Sequence, residues 1–159
     1  MAKFTVTTIV EEQMNEMVYL HSPRDVANFF IGILGKMNPE EKEREHVWVA
    51  GVNGRNRILF VDLESVGLSD SSLMSPEGVF RKALIRNVRS IFLVHNHPSS
   101  VLKPSDDDIR ITNRLKTASE ILGIKILDHI VIGDPGNRDL GHDQCQDKPF
   151  FSFTEHHLL

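Results

Sequence analysis

The residues of this chain with the greatest chemical capacity lie between positions 95 and 108. They read His95-Asn96-His97-Pro98-Ser99-Ser100-Val101-Leu102-Lys103-Pro104-Ser105-Asp106-Asp107-Asp108. The two histidines close the apolar run Ile91-Phe92-Leu93-Val94. Alternate side chains of a strand share a face, so Ile91, Leu93, His95 and His97 project together, while Phe92, Val94 and Asn96 project to the other side. Pro98 lacks a backbone donor and stops the strand directly after the second imidazole. Asp108 then supplies a carboxylate. Two imidazoles, one carboxylate and a fourth position open to water form the donor set of a catalytic zinc site.

The acid must be positioned by the element that carries it. Ser105, directly after Pro104, is a suitable helix N-cap, and Asp108 stands three residues on, as in a capping box. Asp106, Asp107 and Asp108 also suit the positive end of a helix dipole. Capping and metal ligation are compatible here, because the cap sets where the helix begins and so where Asp108 points. The helix is expected over 106–122, with Ile109, Thr112, Leu115 and Ile121 inward and Gly123 as its C′ residue. A strand over Ile124 to Ile132 follows, closed by Gly133-Asp134-Pro135-Gly136.

Upstream, Phe4 to Val10 is rich in β-branched residues and is expected as an edge strand or arm. Ser22-Pro23 opens a helix with an apolar stripe of Val26, Phe29, Phe30 and Ile33, and Gly35 lies near its end. Pro39 to Glu45 is a charge run, expected as solvated linker. Val47 to Val52 and Arg57 to Val66 read as two strands joined by Asn53-Gly54-Arg55-Asn56, a hairpin signal. Ser75-Pro76-Glu77 opens another helix, with Val79, Ala83, Leu84 and Val88 toward the core. The order helix, hairpin, helix, strand, helix, strand indicates a three-layer α/β domain with a mixed sheet.

Composition narrows the function classes. At 159 residues the chain is of single-domain size. A net charge of -4 argues against a general polyanion binder, because nonspecific nucleic-acid affinity comes from neutralised phosphates. Arg81, Lys82, Arg86 and Arg89 could still form a local basic patch on one helix, or simply a solvated face. The single cysteine, Cys145, excludes an internal disulfide and fits a reducing compartment. No stretch reaches the roughly 18 apolar residues of a membrane span. The N-terminus lacks a secretory h-region, and a cytoplasmic location is expected. His142-x-x-Cys145 has the form of half a structural zinc site but lacks a second pair, and His156-His157 reads as exposed tail.

With these residues in place, a family resemblance emerges. His95-x-His97-Pro98 followed by Ser105-x-x-Asp108 resembles the JAMM motif of the Jab/MPN metalloprotease superfamily. Ser65-Val66-Gly67-Leu68, Phe80-Arg81-Lys82-Ala83-Leu84, His95-Asn96-His97-Pro98-Ser99 and Leu127-Asp128-His129-Ile130-Val131-Ile132-Gly133 are similar to the RadC family. The likeness runs from about Ser22 to Leu159, including Phe151-Ser152-Phe153. It implies a three-layer α/β/α Jab/MPN-like domain over 22–159, preceded by an arm or edge strand over 1–21. It also implies Zn2+ at His95, His97 and Asp108.

The resemblance further supplies a general acid/base. Glu45 best matches the family glutamate, since it directly precedes the strand beginning Val47-Trp48-Val49 and shares the face of Val47 and Val49. Glu43 and Glu64 are the alternatives. Ser105 takes the place of the residue that donates a hydrogen bond to a developing oxyanion. Asp128-His129 also matches the family, either supporting the metal ligands or as a structural pair. The implied reaction is amide or isopeptide hydrolysis of a peptide or protein substrate. The alternative is a DNA-repair-associated nucleic-acid-binding protein or a metal-dependent nuclease, since water activation serves carbon and phosphorus centres alike. Three departures stand out. An N-terminal helix-hairpin-helix region has no counterpart in the first twenty residues, Ser100-Val101-Leu102 replaces Gly-Asp-Pro, and Asp139 to Pro149 reads as an insertion.

Overall fold

The computed structural model describes residues 17–67, 74–134 and 148–159, and small polar residues set the start of every helix among them. Helix α1 (Pro23–Gly35) begins with a reciprocal capping box between Ser22 and Asp25, with Pro23 in the first turn. Asn38 caps the short α2 (Pro39–Lys42). Ser75 caps α3 (Pro76–Ile85) by accepting from the Gly78 N–H. Ser105 and Asp108 form a second capping box on α4 (Asp106–Leu122), which ends at Gly123 with φ 66°, a left-handed conformation that glycine adopts without strain.

The strands are β1 (Glu45–Val52), β2 (Ile58–Gly67), β3 (Ser90–His97), β4 (Lys125–Gly133) and β5 (Phe150–Ser152). They form one sheet in the order β2-β1-β3-β4-β5. β3 and β4 run parallel, connected by α4, and the other neighbouring pairs are antiparallel. Helix α1 covers one face, where Val26, Phe30 and Leu34 meet Trp48, Val94 and Ile130. Helices α3 and α4 cover the other, where Phe80, Ala83 and Leu115 meet Val49, Ile91 and Leu93. Each fully buried side chain of this size contributes roughly 1.5–3 kcal/mol, so both faces are firmly held. The result is the expected three-layer α/β/α architecture with a mixed central sheet. No helix among the described residues is long and apolar enough to cross a membrane.

One irregularity bears directly on the site. Ile91 pairs with Ile126, but Phe92 pairs with Asp128, so Leu127 is an extra residue in β4. A bulge of this kind breaks strict alternation. It places His129 beside Leu93 and Val131 beside His95, on the α4 face, and sends Asp128 to the other side.

Several local expectations are corrected. Pro39 to Glu45 is not simply linker: its first four residues are helical and Glu45 begins β1, although α2 buries nothing. Leu84 and Ile121 face solvent, at 53% and 81% exposure. Ile121 lies nine residues beyond Thr112, about 180° around the helix, so Ser119 takes the inward position instead. In the β1–β2 connection the left-handed residue is Asn56 (φ 59°), not Gly54. The Asn53 side chain organises that loop by accepting from the Arg55 and Arg57 N–H groups. His156 and His157 are exposed as expected but do not trail away. His156 stacks on Phe151 with ring centroids 4.0 Å apart, and the Leu158 N–H returns to the Phe153 carbonyl. Phe4 to Val10, His142, Cys145 and most of Asp139 to Pro149 lie outside the described residues.

Candidate metal centre

The centre forms where the C-terminal end of β3 meets the first turn of α4. His95 and His97 share a face of β3, as alternation requires, and Asp108 reaches them from the capping box. One nitrogen or oxygen from each residue lies within 4.8 Å of those of the other two. The His95 and His97 Nε2 atoms are 2.9 Å apart, His95 Nε2 is 3.5 Å from Asp108 Oδ1, and His97 Nε2 is 3.4 Å from Asp108 Oδ2. Ligands about 2.0–2.1 Å from a tetrahedral zinc are separated by about 3.3 Å, so these spacings suit that ion. Two imidazole lone pairs cannot face each other at such close range without a proton or a metal cation between them. The donor set therefore fits a divalent metal on geometry and on chemistry.

The surrounding hydrogen bonds leave the right atoms for ligation. His97 Nδ1 lies 2.6 Å from the Val101 carbonyl and must donate to it, which leaves Nε2 directed at the centre. The loop between His97 and Asp108 holds this geometry through Ser100, whose φ of 58° is left-handed and whose N–H donates to the His97 carbonyl. Serine thus takes a conformation that glycine would adopt freely. Asp108 Oδ2 accepts from both the Ser105 N–H and its hydroxyl at 2.7 Å, leaving Oδ1 turned to His95.

Charge follows this geometry. Burial favours the neutral Asp108 carboxyl, but hydrogen bonds involving His95, His97 and Ser105 outweigh it and hold the acid well below the usual carboxylate range. Burial pushes the His95 imidazole down despite Asp108. It also disfavours imidazolium at His97, yet there the Asp108 and Val101 acceptors and the charges of Asp108 and Glu45 prevail, raising its pKa.

Glu45 lies at the head of β1, half-buried. Val47 pairs with His95, so continuing the antiparallel register by two residues brings Glu45 opposite His97. Burial raises its pKa, with His97 and Asp108 as the charges it feels most. The alternatives lie elsewhere. Glu43 is exposed beyond α2. The Glu64 carboxylate packs against Gly78 at the start of α3, where its electrostatic neighbours are Arg81 and Asp62.

Three supporting residues emerge from the tertiary structure. The Asn96 side chain accepts from the His46 N–H at 2.7 Å and donates to the Arg44 carbonyl at 3.0 Å, gripping the backbone on both sides of Glu45. Alternation placed Asn96 away from the ligands but could not reveal this clamp. His129 is buried with Nε2 2.8 Å from His95 Nδ1, so of the Asp128-His129 pair the histidine reaches the centre. Thr112, expected only as an inward residue, lies 2.7 Å from His129 Nδ1. Asp128 is structural: it accepts from its neighbour's N–H, from the Ser152 hydroxyl and from the Thr154 N–H, tying β4 to the chain's end.

Residues 20–156 match the RadC-like JAB domain, and the chain belongs to that family. It is 49% identical over 92 residues to a UPF0758 protein from Desulforudis audaxviator, covering 58% of this chain and 40% of that protein. A UPF0758 protein from Caldanaerobacter subterraneus is 41% identical over 113 residues, 71% of this chain and 46% of the relative. One from Pelodictyon phaeoclathratiforme is 38% identical over 140 residues, 88% of this chain and 55% of the relative. The chain thus spans about half the length of the curated relatives it matches.

Proposed function

We propose that this domain is a zinc-dependent hydrolase of the JAMM type, cleaving a peptide or isopeptide bond in a protein substrate. The observation that carries this reading is the convergence of His95, His97 and Asp108 with Glu45 adjacent. His95, His97 and Asp108 would hold the zinc, whose chemistry when bound would be to lower the pKa of a water toward about 7, as in other catalytic zinc sites, and to polarise a carbonyl. Glu45, its carboxyl raised by burial, accepts the water proton as the carbonyl is attacked and delivers it to the leaving amine. Ser105 donates its hydroxyl to the developing oxyanion. That role requires the O–H to swing away from Asp108 Oδ2, its acceptor at 2.7 Å.

The nucleic-acid alternative finds less support. Lys82 is paired with Asp62 at 2.8 Å, and the Glu64 carboxylate has Arg81 as an electrostatic neighbour, so of the two readings of these basic residues a binding patch is the less supported. The single cysteine supports a reducing, cytoplasmic setting.

The test compares zinc-loaded, chelator-treated and Glu45→Gln protein on quenched peptides, isopeptide-linked peptides and labelled DNA. Chelation should abolish amide cleavage and zinc should restore it. Glu45→Gln should keep its zinc and lose about 10²–10⁴-fold in rate. An active Glu45→Gln beside an inactive Glu64→Gln would reject Glu45 as the base. Zinc-dependent DNA cleavage without amide cleavage would replace the peptidase reading with the nuclease.

A further inference from the structure

The metal ligand His95 sits at the end of a buried chain of hydrogen bonds that begins on the backbone of its fellow ligand. The Thr112 hydroxyl lies 2.6 Å from the Asp108 carbonyl oxygen and 2.7 Å from His129 Nδ1. Its single proton must point at the carbonyl, because otherwise two acceptor oxygens would face each other at 2.6 Å. Toward His129 the hydroxyl can therefore only accept, which places a proton on His129 Nδ1.

His129 is fully buried, its ring stacked on Phe153 with centroids 4.5 Å apart, and its side-chain partners are Thr112 and His95. A buried imidazolium without a carboxylate partner is costly, so the ring is neutral. With Nδ1 protonated, Nε2 carries the lone pair and accepts from His95 Nδ1 at 2.8 Å. His95 consequently holds its proton on Nδ1 and leaves Nε2 as an acceptor facing His97 and Asp108, so that without metal the proton between the two imidazoles belongs to His97 Nε2. Every proton position in this relay follows from the one acceptor that cannot change role, a backbone carbonyl.

We propose that His129, oriented by Thr112, is a positioning residue that holds His95 in the Nδ1–H tautomer required for metal ligation. Asp108 contributes twice, through its carboxylate to the centre and through its carbonyl to the relay. This couples the two ligands on either side of the β3–α4 connection. The inference rests on the metal-centre reading for its purpose, but the proton positions can be measured without metal.

Ring-nitrogen NMR of the metal-free protein reads them directly. Wild type should show Nδ1–H tautomers at both His95 and His129, and an Nε2–H tautomer at His95 would overturn the relay. Zinc affinity, measured by competition with a chromophoric chelator, should fall about 10–100-fold in His129→Leu. His129→Gln, whose side-chain carbonyl can accept from His95, should recover most of that loss. Thr112→Val should leave His129 a mixture of tautomers and reduce affinity by a smaller factor, even if His129→Leu fails to fold. Zinc binding of wild-type strength in both His129→Leu and Thr112→Val would overturn the proposal. Wild-type protein that shows the expected tautomers but binds no zinc would sink the proposed function and leave the relay standing.

Discussion

Helices α1 and α4 begin with the same device and put it to different uses. In each, a serine hydroxyl accepts from the N–H three residues on, and the aspartate there returns the bond to the serine N–H. Asp25 directs Oδ2 to the His21 and Ser22 N–H groups, at 3.0 and 2.9 Å, and its work ends there. Asp108 also caps with Oδ2, but its carboxylate faces two imidazoles delivered by a neighbouring strand. The local motif is equivalent, and its surroundings make one acid a cap and the other a cap and a candidate ligand. A helix start is a rigid place to mount a carboxylate, since the hydrogen bonds that set the helix also set the side-chain angle.

Removing each acid breaks the comparison most sharply. Asp108→Ala should lower zinc affinity by more than about 100-fold, beyond what loss of a supporting residue gives. Asp25→Ala should leave zinc affinity within about twofold and affect only stability, as for loss of a cap. Equal zinc affinities in the two variants, measured by chelator competition, would show that Asp108 is only a cap.

Proton competition gives the next largest effect. Asp108 is held well below the usual range and stays anionic, so it adds no pH dependence near neutrality. The His97 pKa is raised, and below it the imidazolium must lose its proton before it can ligate. Apparent zinc affinity should be flat above that pKa and fall by about tenfold per pH unit below it. A fall that begins only in the carboxylate range would assign the competing proton to Asp108 instead.

The serines sharpen the contrast at about 1 kcal/mol. Ser22→Ala and Ser105→Ala should each destabilise by about that amount in denaturant unfolding. Ser105→Ala alone should also weaken zinc binding, because it frees the Asp108 side chain. The smallest expected effect lies in the loop between His97 and Asp108. Ser100 has a left-handed backbone, and its buried hydroxyl has no hydrogen-bond partner among the described residues. Ser100→Gly should therefore stabilise the fold by up to about 1 kcal/mol. Destabilisation on urea unfolding would contradict the strain assigned to it.

Much of this arrangement could be read along the chain. Strand alternation placed both imidazoles on one face, and the Ser105–Asp108 spacing located the helix start that carries the acid. The same logic failed where its assumptions did. Ile121 has the right chemistry for a core but sits on the far side of the helix from Thr112, and Leu84 likewise faces solvent. Asn53, rather than Gly54, organises its loop. At Ile121 helix geometry outweighed side-chain chemistry, and in the β1–β2 loop the hydrogen bonds of Asn53 outweighed the conformational freedom of glycine.

The sequence by itself determined the donor types, their spacing and the elements that hold them. Capping and alternation act within a few residues of chain, so local order carries that information. Only the tertiary structure decided that His129, and not Asp128, turns toward the centre. That choice depends on the extra residue at Leu127, which shows itself only when β4 is laid against β3. Likewise, the Asn96 grip on Arg44 and His46 and the Thr112–His129–His95 relay join positions far apart in the chain. Packing brings them into hydrogen-bond range, and no pattern along the backbone records it.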